Sequence, residues 1–298
     1  MQSVKRTANF ILMHIAALLC LAAAGLFALP CSDVPVLAAS GSQPVYIGSP
    51  RDFAEFAARA RSQSYSKGVT FILSADIDLT GYQDISVPYM DGTFEGHGHV
   101  ISGFESEEDI SDFGLFRYVG ENGSIRSLIL EGDVVSGADQ RHTGLLCGTN
   151  AGEITDCTVR GSLNAQSQVG AVAGYNAPSG IIRNCTNEAS VDGKYQTGGI
   201  AGQSEGTIRN CLNLGGINLN TRIKKNEGNS DGDAVNISIP NAVTGLAADE
   251  RANETGGIVG SISGRISYCE NRGAVGFSEL GSSTGAGSLA STSAASWL

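Results

Sequence analysis

"TGGIAGQSEGTIRNC", residues 197–211, is the stretch on which the fold turns. A glycine pair, a small apolar residue and another glycine lead into an isoleucine with a cysteine three residues on. Such a string fits a phosphate loop, a metal knuckle or a structural repeat, and the rest of the chain separates the three. "TGLLCGTNAGEITDC" at 143, "VGAVAGYNAPSGIIRNC" at 169 and "TGGIVGSISGRISYC" at 255 are copies of it, and "FGLFRYVGENGSIRSL" at 113 is a degenerate fifth. Their first glycines are Gly114, Gly144, Gly170, Gly198 and Gly256, giving steps of 30, 26, 28 and 58 residues. The last step is about two periods, which predicts one coil missing or disguised between 221 and 254.

Each copy carries an apolar residue two places after the first glycine (Phe116, Leu146, Val172, Ile200, Ile258) and a later isoleucine (Ile125, Ile154, Ile182, Ile208, Ile266). Short β-prone runs punctuated by Gly and Asn, without a helical period, describe strands that turn sharply and return. A period of this length fits one coil of a parallel β-solenoid, whose coils stack at about 4.8 Å with like residue above like. Asn184 and Asn210 suit a left-handed turn, and glycine suits positive φ or close backbone approach. A phosphate loop would need a basic residue and a following helix, and neither is present.

These residues resemble the GLUG-motif proteins of bacterial cell surfaces, whose repeats run "vGGivGxnxGxIxNCxNxGxV". "FILSADIDLTG" (71–81) and "GTFEGHGHVISGF" (92–104) resemble the segment before such repeats in large clostridial-type adhesins and in immunoglobulin A1 protease-like metallopeptidases. The resemblance covers about 69–277. It implies an all-β, right-handed parallel β-helix on an exported protein and implies no catalytic residue.

Lys5 and Arg6, the apolar run Phe10–Leu29 and the small residues of "VLAAS" lay out a secretory signal peptide over 1–39. An uncleaved anchor is the alternative, since about 20 apolar residues also span a bilayer. Residues 40–68 read as a linker and a capping helix, with Ser49 as N-cap, Pro50 in the first turn and Phe53, Phe56, Ala57 and Ala60 on one face. The β-helix is expected over 69–277 in six to eight coils, with an insertion at 221–254 that hides a strand at "AVNISI". The Ser/Gly/Ala-rich tail, 278–298, is too poor in apolar residues to pack.

The net charge of -11, without a Lys/Arg cluster, disfavours nucleic acid and anionic membranes as partners. Aromatic residues make up only 6 %, which argues against a sugar-stacking groove. Cys157, Cys185, Cys211 and Cys269 each follow the repeat isoleucine by three residues, and Leu128 holds that slot in the degenerate copy. Cys147 aligns with Ala173, Ala201 and Val259. Both slots ask for an apolar side chain and read as buried thiols. Stacking at about 4.8 Å also admits disulfides, whereas zinc needs converging ligands that a ladder does not supply.

Three further clusters have functional readings. Glu95, His97 and His99 alternate, so an extended strand puts them on one face where they could hold a divalent metal. The resembled family usually carries His at the place of His99 and not of His97. Asp76 and Asp78 also share a face, as paired carboxylates for glycoside hydrolysis would. Glu227–Asp233 alternates acids around a glycine like a calcium loop, yet its twelfth position is Ser238. Each has a plainer reading as a solvated strand face or loop. The expectation is a non-catalytic module without metal or cofactor, displaying a rigid β-helix to a protein or glycan at the cell surface. The alternatives are a polysaccharide-active β-helix lyase or hydrolase using Asp76, Asp78 or Glu95, and the non-catalytic region of a larger surface protease.

Overall fold

The computed structural model describes residues 43–82, 85–107, 110–136, 140–219, 253–275 and 290–291. The expected signal peptide, calcium-like loop and hidden strand lie outside the described residues, as does all of the tail but Ala290–Ser291. The chain winds into an all-β parallel solenoid of about 6 turns with one short helix near its start. Each turn visits three faces. A sheet of eight strands runs from Val45–Ile47 to Arg265–Ser267, one of six from Phe116–Val119 to Ala290–Ser291, and one of ten from Ile77–Asp78 to Glu270–Asn271.

The repeat isoleucines lie directly over one another. Strand register places Phe71, Phe94, Ile125, Ile154, Ile182, Ile208 and Ile266 in one inward column, and all but Ile266 are fully buried. Phe116, Cys147, Ala173, Ala201 and Val259 form a second. Here the first copy is offset from the sequence alignment, because its corner Phe113–Phe116 is one residue shorter than Thr143–Cys147, and Phe116 lies over Cys147 instead of Leu146. The coil begun at Gly198 also stacks directly on that begun at Gly256. Among the described residues no further coil therefore lies between these two, although the step is 58 residues long. A solenoid tolerates this because only the stacked segments must keep register.

Two corners carry left-handed residues in columns: Ser127, Asp156, Asn184, Asn210 and Tyr268 in one, Asp112, His142, Gln168 and Gln196 in the other, with φ between 50° and 57°. Two buried amide ladders also run along the axis. Asn150 Nδ2 donates to Asn176 Oδ1 (2.8 Å) and Asn176 Nδ2 to the Ser204 hydroxyl (3.1 Å). Asn187 Nδ2 donates to Asn213 Oδ1 (2.7 Å) and Asn213 Nδ2 to Asn271 Oδ1 (2.6 Å). Where asparagine recurs, an amide bonds to its own image one coil up, and Ser204 takes the place of the third amide in the first ladder.

The helix α1, Pro50–Arg59, has Ser49 as N-cap, its hydroxyl accepting from Asp52 N at 3.2 Å. Its buried rings close the start of the stack: Phe56 lies 4.4 Å from Phe71 and Phe53 6.5 Å from Phe94, between ring centroids. Part of the expected linker is ordered instead, since Val45–Ile47 pairs with Phe71–Leu73. Three residues are too few for a strand period to show in the sequence. Within the expected unpacked tail, Ala290–Ser291 pairs with the strand Val259–Ile262.

Thr143, Val169, Thr197 and Thr255 share an inward column. The Thr143 and Thr197 hydroxyls are buried without a hydrogen-bond partner. Val169 fits the same slot, and a buried orphan hydroxyl is costly. Thr143→Val and Thr197→Val should each raise stability by about 1 kcal/mol, read as a higher Tm in thermal denaturation; an unchanged or lower Tm refutes the assignment.

Candidate functional site

Since the interior is filled by stacking, candidate sites lie on the outside of the coils. On the ten-stranded sheet, Gly132 and Gly161 are in register and open a groove of about 430 Å³ lined also by Glu105, Glu131, Asp133 and Arg160. Glycine is required there by the neighbouring coil: a Cβ on Gly161, whose φ is +107°, would lie 1.9 Å from the Gly132 carbonyl oxygen. Arg160 bridges three coils, Nε to Glu188 (2.8 Å) and Nη1 to Glu131 (3.0 Å). The Ser162 hydroxyl donates to Asp133 at 2.6 Å, and Glu105 sits in register beside Asp133. Carboxylates that accept and a guanidinium that donates equip this groove for hydroxyl-bearing ligands.

The outer face of the six-stranded sheet gathers Tyr118, Thr149, Tyr175 and Gln203 into one column. Tyr89 stacks on Tyr118, centroids 5.2 Å apart and planes 8° from parallel, and His142 stacks on Tyr175 at 5.0 Å. A low aromatic total thus hides a local stripe. The rings cover one another's faces, so the stripe offers edges and polar tips more than open stacking platforms.

Asp112, His142 and Thr149 meet here, a constellation the sequence did not reveal. His142 Nδ1 lies 2.7 Å and the Thr149 hydroxyl 2.5 Å from the same Asp112 oxygen. Burial works to raise the Asp112 pKa, but the hydrogen bonds from His142 and Thr149 outweigh it and hold the carboxyl low. A catalytic triad sets the hydroxyl on Nε2, opposite the acid. Thr149 is instead 3.4 Å from Nδ1, on the acid's own side. The cluster braces a corner and does not activate a nucleophile.

The residues singled out in the sequence are dispersed. His97 takes a left-handed φ of 51° in a turn after the strand Thr93–Glu95, so the extended alternation with Glu95 and His99 does not form. Glu95 faces Arg126 at 3.8 Å, while His99 Nδ1 is 3.0 Å from Asp76. Among the described residues no group of three or more His, Cys, Asp or Glu is placed to hold a metal ion. Asp76 accepts from Val100 N (2.9 Å) and from His99, and Asp78 from Thr80 N (2.9 Å) and its hydroxyl (2.6 Å). These bonds hold both carboxyls below their ordinary range, the reverse of what a general acid needs. No helix among the described residues is long and apolar enough to cross a membrane.

Among the described residues, Cys147, Cys157, Cys185, Cys211 and Cys269 are free thiols, all buried except the half-buried Cys269. In the stacked column each thiol donates to the carbonyl two residues back: Thr155, Arg183, Arg209 and Ser267, at 3.2 to 3.4 Å. The slot thus takes a small apolar side chain with a weak donor for the corner carbonyl. Burial pushes the Cys147 and Cys185 thiols up, and Cys211, hydrogen-bonded to Cys185, is pushed up to about 12. In reduced, folded protein comprising residues 40–298, iodoacetamide at neutral pH should modify Cys269 slowly and spare the other four. All five should react in denaturant, and rapid native labelling of Cys157 or Cys185, read by mass spectrometry, contradicts the column.

Fold and surface together define a parallel β-helix whose variable chemistry lies outside its coils. No family model matches the chain. It is 40 % identical over 106 residues to a protein of Evansella cellulosilytica provisionally named Gly-rich membrane protein, a match covering 31 % of this chain and 12 % of that one. It is 31 % identical over 91 residues to Halomucin of Haloquadratum walsbyi, covering 30 % of this chain and 1 % of Halomucin. The chain therefore spans only a small part of the curated relatives it matches. A crystal structure from Bacteroides ovatus, provisionally named an immunoglobulin A1 protease, superposes with TM-score 0.52 at 23 % identity, over 77 % of this chain and 68 % of that one. That likeness establishes the fold.

Proposed function

We propose that the chain is an exported cell-surface module, adhesin-like, whose rigid β-helix presents its outer faces to a protein or glycan partner. The observation that carries this reading is the unbroken inward column from Phe71 to Ile266. It takes up the isoleucines of the repeat in stacking and leaves the outward residues of the coils for recognition. Asp76, Asp78 and Asp112 are all held low by hydrogen bonds, which favours display over acid catalysis. The Gly-rich membrane protein and Halomucin, by name, fit a place at the cell surface, as does the signal-peptide pattern of residues 1–39. The groove between Glu131 and Asp133 is the natural contact for hydroxyl-rich chains.

The test is to immobilise residues 40–298 and pass over it acidic and neutral polysaccharides and glycoproteins, scoring both retention and newly released reducing ends. Retention without release is expected, weakened at least tenfold by Arg160→Ala. Release of reducing ends, abolished by substitution of Asp76, Asp78 or Glu95, would replace display with polysaccharide cleavage.

A further inference from the structure

We propose that Cys211 and Cys269 are a latent staple, forming a single disulfide between the last two stacked coils when the folded chain meets an external disulfide. Two features make this pair joinable and a third singles it out. First, the strand following each cysteine is in register with its counterpart, Leu212 over Glu270 and Asn213 over Asn271. The α-carbons of adjacent coils then lie about 4.8 Å apart, within the disulfide range. Second, the Cys269 sulfur already lies against the Cys211 backbone, whose amide donates to Cys269 Sγ at 3.4 Å. Third, access is graded along the column. Cys269 is half-buried, Cys211 is 2 % exposed, and Cys157 and Cys185 are at most 1 % exposed. An oxidant thus meets Cys269 first, and the reaction stops at the first pair because the next thiols are enclosed.

The chemistry is ordinary thiol–disulfide exchange. The Cys269 thiol, pushed up by its contact with Cys211 and by burial, loses its proton slowly and as thiolate attacks a sulfur of a small external disulfide, forming a mixed disulfide and expelling one small thiolate. The Cys211 thiolate then attacks Cys269 Sγ and expels the second. Two protein thiols lose two electrons and two protons, and the external disulfide is reduced to two thiols. The pair is separated by 58 residues. Cross-linking positions that far apart removes freedom from the unfolded chain.

The experiment incubates folded residues 40–298 with oxidised glutathione, alkylates remaining thiols in denaturant without reduction, and maps the peptides by mass spectrometry. The expected result is one cross-linked peptide pair, Cys211 to Cys269, alkylation of Cys147, Cys157 and Cys185, and a Tm raised by several degrees that dithiothreitol returns to its starting value. Cys211→Ser should leave Cys269 as a glutathione mixed disulfide without the Tm rise. Wild-type protein alone suffices to overturn the proposal if that variant does not fold. A cross-link between Cys157 and Cys185, retention of all five thiols at equilibrium, or a cross-link formed only in denaturant would each do so.

Discussion

Gly161→Ala should destabilise the chain by about 3 to 4 kcal/mol and leave little folded protein, although it adds one methyl group. Two costs combine. The added Cβ would be 1.9 Å from the Gly132 carbonyl oxygen, which the parallel stack of coils holds in place, and the backbone φ of +107° is one that L side chains rarely adopt. Gly98→Ala separates them. Its φ is +79° and its Cβ would meet nothing within 4 Å, so only the conformational cost of about 1 kcal/mol remains. Chemical denaturation of the two variants measures the difference. Equal losses would show that the coils part easily at Gly161, against close stacking and against a groove floored by glycine.

Asn187→Ala is expected to cost about 3 kcal/mol, more than loss of a surface amide, because its partners are enclosed. Asn187 Oδ1 accepts from Ala189 N at 2.8 Å, and Nδ2 donates to Ala189 O at 3.1 Å and to Asn213 Oδ1 at 2.7 Å. Asn187, Ala189 and Asn213 are all 0 % exposed, so water cannot replace what is lost. Asn187→Asp should be worse at neutral pH, since it buries a carboxylate facing the Asn213 oxygen. Its folded pKa would be raised above the unfolded value of about 4. The variant is then least impaired below that value, where its protonated carboxyl donates to Asn213, and loses stability as pH rises through the folded pKa. A Tm difference from wild type that does not widen between about pH 4 and pH 8 would show the ladder is hydrated.

The interior was legible for a simple reason. In parallel, in-register stacking the repeated residue meets its own copy, so Ile154 over Ile182 in space is a 28-residue step in sequence. The cysteine slot was legible through Leu128, and the left-handed corners through Asn184 and Asn210. The outside was not. Glu95, His97 and His99 look like a strand face, but the strand ends at Glu95 and His97 sits in a left-handed turn. Gly96 is pressed against the next coil, where a Cβ would lie 2.5 Å from the Ser127 carbonyl oxygen. The 58-residue step misled in the same way, because counting residues does not show that the coils begun at Gly198 and Gly256 stack directly on each other.

What the sequence by itself determined is the coil: its period, its inward residues and its corners, each set by steric demands that recur at every turn. Only the tertiary structure decided which outward side chains become neighbours. Asp112, His142 and Thr149 come together across 30 and 37 residues, and Arg160 reaches Glu131 and Glu188 across 29 and 28. Those meetings depend on coil lengths that vary by a few residues and on corners that re-aim the chain. Outward positions face water, so no packing requirement repeats there to leave a period in the sequence.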